Sequence, residues 1–356
     1  DSAAATAPPD AAIAPLAATD PTQFPALDAG AVAARIAPLL GDPGLGPNPG
    51  SAVLDADTGE VLFGGRPQQP LIPASSLKVI TALAGLRAGV ITPESTALCT
   101  GYFKVGGRQF PCHNRRGHGE VDLVDALRVS CNVFFYKYGI LTGIDNLSTE
   151  ARRFGLDSQT GIEIPSEASA MIVPSRAWKK EQQNIPWFPG DTANTSIGQG
   201  FFRITPLQMA CLTASLARNQ TRTRPTLLRR LPEEVPSIPG NQAIGLDPAL
   251  FNLVMEGMEQ AAQLGTARLA KIPGIRLAAK TGTAQVRTPR GTLELAWFMA
   301  FGPIQNPEIA IALVVVGEEP DESNGGGLIA GPIAKQVLQR YFEKHPQPGN
   351  YQLADY

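Results

Sequence analysis

The sequence has little of what marks a membrane protein, a secreted disulfide scaffold or a nucleic-acid binder. No apolar run reaches the roughly 18 residues that a transmembrane helix needs, so no span is read in its 356 residues. Its first residues, DSAAATAPPDAAIAPLAATDP, lack a basic segment and an apolar core, which excludes a signal peptide there. Four cysteines are too few to staple a fold, so their placement matters more than their number. A net charge of −2 gives no electrostatic reason to expect nucleic acid or an anionic membrane as partner. No internal repeat is visible. What is abundant is turn-forming residue: 36 Gly and 32 Pro, against 43% hydrophobic and 17% charged residues, which fits a folded chain rich in turns.

Residues 1–30 are Ala/Pro-rich and read as a linker, and 31–40 as a short helix. Residues 1–45 are therefore taken as a tail and 46–356 as one folded domain. It opens with a strand pair, 52–55 and 60–63, around the turn signal Asp57-Thr58-Gly59. After Pro73, Leu77, Val79, Ile80, Leu83 and Leu86 recur at helical spacing, which puts Ser75 near a helix N-terminus. Further helices are read over 123–138, 206–217, 248–264 and 332–342, with short helices and loops over 145–190 and an exposed loop over 219–246. Three successive strands are read at 276–279, 296–301 and 309–316. Strands near both ends with helices between predict an α/β (α+β) fold. Its antiparallel sheet is formed from both chain ends and flanked by helices, with a helical subdomain inserted at roughly 90–215.

Three short motifs carry chemistry. Ser75-Ser76-Leu77-Lys78 is S-x-x-K, and residues three apart share a helix face, so Lys78 is expected beside the Ser75 hydroxyl. A neutral lysine can serve as the base that activates a serine. Ser130-Cys131-Asn132 offers a hydroxyl relay and an amide for a peptide backbone. Lys280-Thr281-Gly282-Thr283 follows an apolar strand; its ammonium and hydroxyls suit a carboxylate, and its glycine would let a substrate approach the strand edge. Each motif alone recurs by chance. The three together, in this order, are the signature of serine β-lactamases and penicillin-binding proteins.

Residues 50–345 accordingly resemble the transpeptidase domain of class B penicillin-binding proteins, and most of all the elongation-type, cell-shape-determining members. The likeness extends to Cys99-Thr100-Gly101-Tyr102-Phe103, Gly117-His118-Gly119, Ser196-Ile197-Gly198-Gln199-Gly200, Thr205-Pro206-Leu207-Gln208-Met209-Ala210 and Lys280 to Gln285. The resemblance implies a serine-type peptidoglycan D,D-transpeptidase. Ser75 would be acylated by the penultimate D-Ala of a stem peptide, with Lys78 as base and Ser130 passing a proton to the leaving amine. Asn132 would bind the peptide, Lys280, Thr281 and Thr283 would hold its terminal carboxylate, and the N–H groups of Ser75 and Thr283 would form the oxyanion hole. It further implies covalent inhibition by β-lactam antibiotics and work outside the cytoplasm, on the periplasmic face of the inner membrane. A membrane glycosyltransferase and elongation-complex proteins would be partners through regions this sequence lacks. No organic cofactor is expected. The segment GGRPQQPLIPAS before Ser75 departs from the class: it is short, and with VLDADTGEVLF it is similar to D,D-carboxypeptidases. No pedestal domain or anchor is read.

Cys99, Cys112, His118 and Cys131 lie between the first two motifs. Three thiolates and an imidazole suit tetrahedral zinc, while a Cys99–Cys112 disulfide is the alternative that residue type alone leaves open. The resemblance implies a structural zinc behind the active site with the cysteine of S-x-N as a ligand, closed to solvent and fixing Ser130 and Asn132. His113 competes with His118, which is preferred because it sits in the Gly-His-Gly that matches the family. Cys211 lies in an apolar helix and reads as core.

Three other activities share the motifs. A D,D-carboxypeptidase would pass the acyl group to water instead of an amine. A β-lactamase would need a group to activate water. Glu167 lies at a suitable distance for that, but in the context Glu-Ala-Ser-Ala-Met, without the expected Asn. A β-lactam sensor would acylate without turnover. Trp178, Trp187, Phe188 and Trp297 are read chiefly as packing, with the cleft wall as the alternative.

Overall fold

The computed structural model describes residues 50–55, 61–65, 68–164, 167–227, 238, 240–289, 291–317 and 325–344. The predicted tail over 1–45, the helix over 31–40 and the turn at 57–59 lie outside them. Five strands form the main sheet: β1 (Gly50–Asp55), β2 (Val61–Gly65), β7 (Ala278–Thr288), β8 (Gly291–Gly302) and β9 (Ile309–Val316). They pair antiparallel in the order β2-β1-β9-β8-β7. Both ends of the described chain thus meet in one sheet, as expected, and β7 is left at its edge.

Side chains alternate across a strand, so each strand feeds two cores. On β8, Leu295, Trp297, Met299 and Phe301 pack with the helices of one face; Ala296, Phe298 and Ala300 pack with those of the other. The indole N–H of Trp297 donates to the Ile72 carbonyl at 2.8 Å and anchors the chain just before Ser75. Trp297 is therefore packing, as are Trp178 and Trp187, whose rings lie 5.2 and 6.1 Å from that of Phe201.

Between β2 and β7 run the helices α1 (Lys78–Arg87), α2 (Leu123–Arg128), α3 (Asn132–Arg153), α4 (Arg176–Gln183), α5 (Pro189–Ser196), α6 (Pro206–Ala217) and α7 (Pro248–Gln263). The chain closes with α8 (Gly326–Lys344). Two small ribbons, β3 (Ala97–Cys99) with β6 (Gly119–Val121) and β4 (Tyr102–Val105) with β5 (Arg108–Pro111), fill the polar stretch before α2.

Several boundaries differ from the sequence expectation, among them three beside the candidate site. The helix read over 123–138 is two, α2 and α3, broken at Ser130, whose φ is +54°. The strand read at 276–279 runs on through Lys280-Thr281-Gly282 to Thr288. The last helix begins in the glycines at 326, ahead of the expected 332, with Pro332 inside it.

Candidate active site

Ser75 sits on a 3-10 turn, Ala74–Leu77, that leads straight into α1. The preceding Ala74 has φ +52°, a left-handed conformation that costs an L-residue free energy and persists only where its surroundings impose it. They do so here. Ala74 N–H donates to the Gly198 carbonyl at 3.0 Å, and a methyl on Gly198 would overlap the Ala74 carbonyl. The Ser196–Gly200 segment thus serves as a backstop for the Ser75 turn.

Lys78 is fully buried. Its Nζ donates to the Ser130 carbonyl (2.6 Å), Asn132 Oδ1 (2.6 Å) and Ser130 Oγ (3.1 Å), which uses all three N–H groups of an ammonium. Among the described residues nothing is hydrogen-bonded to the Ser75 hydroxyl. The expected Ser75–Lys78 bond is absent because the three N–H groups are all directed at Ser130 and Asn132 instead. Burial pulls Lys78 down from its ordinary 10.5 to about 8, against the opposing charges of Cys112, Cys131 and Cys99.

Lys280 comes from the opposite side. Its Nζ donates to Ser130 Oγ and to the Thr281 carbonyl, both at 2.9 Å, and it too is fully buried. One hydroxyl therefore bridges two lysine nitrogens. Burial, and then the charge of Lys78, hold Lys280 well below the usual lysine range. The expectation that Lys280 grips a substrate carboxylate meets a nitrogen turned inward to Ser130.

The edge strand explains the rest of the third motif. The Thr283 carbonyl accepts from Gln199 Nε2 at 3.2 Å, away from β8. In an antiparallel strand a residue's N–H and C=O point the same way, so the Thr283 N–H also faces outward, toward the cleft. Thr283 Oγ1 accepts from the Gly326 N–H at 2.9 Å, which sets the start of α8 against the motif. Gly282 lines the cleft and also has a packing role: a Cβ there would lie 2.8 Å from Ser76 Oγ and 3.0 Å from the Ser76 nitrogen, so the glycine seats β7 against the Ser75 turn.

These elements enclose a cleft of about 470 Å³, lined by Ser75, Ser130, Asn132, Thr281, Gly282 and Thr283 together with residues that no motif flagged, among them His113, Thr266 and Arg268. The sequence signal for these three was faint, because each lies outside the motifs and reaches the cleft only through folding. Glu167 is absent from the cleft. Its carboxylate caps the backbone N–H groups of Thr160 (2.5 Å) and Gly161 (2.9 Å).

Directly behind Ser130, ligand atoms of Cys99, Cys112, His118 and Cys131 lie within 4.8 Å of one another. His118 Nδ1 is 3.5 Å from Cys99 Sγ and 3.6 Å from Cys112 Sγ. Zinc bonds of about 2.3 Å to sulfur and 2.0 Å to nitrogen at tetrahedral angles give edges of about 3.6 Å, so this donor set fits such an ion. No disulfide joins the cysteines. The Cys131 thiol hydrogen-bonds to Cys112, which pushes the Cys112 thiol far down and Cys131 up, as expected for crowded sulfurs that share a proton. His113 Nδ1 is 3.8 Å from Cys112 Sγ, but His113 is exposed and lines the cleft instead. Cys211 is buried in α6, as read.

Comparison with known proteins agrees with this geometry. The chain is 32% identical over 326 residues to the peptidoglycan D,D-transpeptidase MrdA of Haemophilus influenzae, covering 83% of this chain and 48% of that protein. It thus spans about half the length of such relatives. Pseudomonas aeruginosa PBP2 in complex with WCK 5153 superposes with a TM-score of 0.77 at 30% identity, over 91% of this chain and 76% of that one. The complex of PBP2 and MreC from Helicobacter pylori superposes with a TM-score of 0.75 at 26% identity, over 87% and 63%. With residues 50–339 also matching the penicillin binding protein transpeptidase domain, the span that carries all three motifs, the chain belongs to the penicillin-binding protein transpeptidase family.

Proposed function

We propose that this chain is the catalytic part of an elongation-type peptidoglycan D,D-transpeptidase that acts outside the cytoplasm. One observation carries the reading: the Ser130 hydroxyl bridges the buried nitrogens of Lys78 and Lys280 beside Ser75 and an outward Thr283 N–H. Ser75 Oγ would attack the carbonyl carbon of the penultimate D-Ala and give its proton to neutral Lys78. The N–H groups of Ser75 and Thr283 would take the negative charge on the carbonyl oxygen. As the C–N bond breaks, Ser130 would hand its proton to the leaving D-Ala nitrogen and recover one from Lys78. An acceptor amine would then attack the acyl-enzyme and restore Ser75, forming the cross-link. A β-lactam would enter by the same first step and remain on Ser75.

Cys99, Cys112, His118 and Cys131 would hold a structural zinc that ties the β3–β6 region to Cys131. The bound ion would neutralise crowded thiolates and take no part in bond making. Partners of this reading are peptidoglycan stem peptides, a membrane glycosyltransferase and elongation-complex proteins; the MreC-bound relative supports the last of these.

Mass spectrometry after incubation with benzylpenicillin tests the reading. One adduct is expected, on the peptide containing Ser75. No adduct, or one mapped to another residue, overturns it. Gly282→Ala is a finer probe. Pushing β7 away from the Ser75 turn is expected to slow acylation about 10- to 100-fold, because small misplacements of reacting groups are costly. A wild-type rate would mean that this contact does not set the geometry.

A further inference from the structure

A carboxylate at the end of the donor peptide needs a cation in the cleft, and the motif lysines are poorly placed to supply it. Lys78 and Lys280 are both fully buried, and all three donors of Lys78 and two of the three of Lys280 go to Ser130, Asn132 and the Thr281 carbonyl. Arg268 is different: it is exposed and lines the same cleft as Ser75, Thr281 and Thr283. Its guanidinium presents a planar fork that matches a carboxylate.

The backbone around Arg268 is held to the site. The Thr266 N–H donates to the Arg128 carbonyl at 3.2 Å, two residues before Ser130. The Thr281 hydroxyl donates to Thr266 Oγ1 at 2.7 Å, so the turn is also tied to β7. Arg268 Nη1 donates to the Gly265 carbonyl at 3.3 Å, which steadies the side chain and leaves further N–H groups to bind. Among the described residues no carboxylate pairs with it. Leu269 and Leu328, 39% and 65% exposed, line the same cleft.

We infer that Arg268 is the specificity-determining cation that receives the terminal carboxylate of the D-Ala-D-Ala donor, with the Thr283 hydroxyl beside it. The inference rests on the acyl-enzyme reading above. In it Lys280 serves Ser130, and Arg268 reads the substrate's charge.

The test compares two probes, an N-acyl-D-alanyl thioester of thioglycolate and its terminal carboxamide, on wild type, Arg268→Gln and Arg268→Lys. The readout is the second-order rate constant for acylation of Ser75. Wild type is expected to prefer the carboxylate. Arg268→Gln is expected to lose about 10- to 100-fold on the carboxylate probe, the worth of one charged hydrogen-bonded contact, and little on the carboxamide. Arg268→Lys, a point charge without the fork, is expected to fall between. Equal loss on both probes, or an unchanged preference in Arg268→Gln, overturns the inference while leaving the acyl-enzyme intact. Wild type that takes neither probe on Ser75 overturns the underlying reading as well.

Discussion

Lys78→Ala is expected to lower the rate of acylation by benzylpenicillin about 10³- to 10⁴-fold, the scale of a lost general base together with its positioning of Ser130. The side chain fills a fully buried site and donates to three oxygens that flank the nucleophile. Its chemistry also fixes the pH dependence. Only the neutral amine can take the Ser75 proton, and burial brings Lys78 down to about 8. In wild type the acylation rate should therefore climb about tenfold per pH unit below 8 and level off above it. The residual rate of Lys78→Ala should lack that limb. Stopped-flow acylation measured from pH 6 to about 10 decides the matter, and a variant that kept both rate and limb would remove Lys78 from the role of base.

The second large effect concerns the cluster behind Ser130. Elemental analysis of purified protein is expected to find about one zinc per chain. Stripping it with a chelator is expected to lower the Tm by about 10 °C or more. That follows from a structural zinc worth several kcal/mol and about 2–4 °C per kcal/mol in a domain of this size. Acylation should weaken at the same time. Cys131 stands between Ser130 and Asn132, and the Asn132 N–H donates to Cys112 Sγ at 3.3 Å. Releasing the sulfurs would free both ends of the relay. Cys131→Ser should reproduce the loss in part, with acylation down about 100-fold if Ser130 shifts on the order of 1 Å. Protein that holds no zinc and shows two fewer free thiols than four would instead support the Cys99–Cys112 disulfide.

Reactive groups were easier to read from the sequence than the structure that aims them. Ser75, Lys78, Ser130, Asn132 and Lys280 stand in short motifs because their chemistry requires particular side chains at particular offsets. The strands at 309–316 and 296–301 showed as apolar runs because both of their faces are covered. The break at Ser130 did not show. Residues 123–138 have continuous helical periodicity, and a φ of +54° at a serine leaves no compositional mark. The extent of β7 was missed for a related reason: Lys280-Thr281-Gly282-Thr283 is polar and carries a glycine where the apolar run stops, yet its hydrogen bonds to β8 make it a strand.

The sequence by itself picked out the candidate nucleophile, its lysine, the candidate relay hydroxyl, a set of sulfur and imidazole side chains, and a sheet drawn from both ends of the domain. These depend on residue identity and local period, which a linear string records. Tertiary structure alone decided where the charges go. It turned Lys280 inward to share one hydroxyl with Lys78, drew Cys99, Cys112, His118 and Cys131 within 4.8 Å, and placed Arg268 in the cleft. The physical reason is that burial and charge–charge distance act through space. Lys280 and Ser130 are 150 residues apart in the chain, and only packing brings their atoms to 2.9 Å.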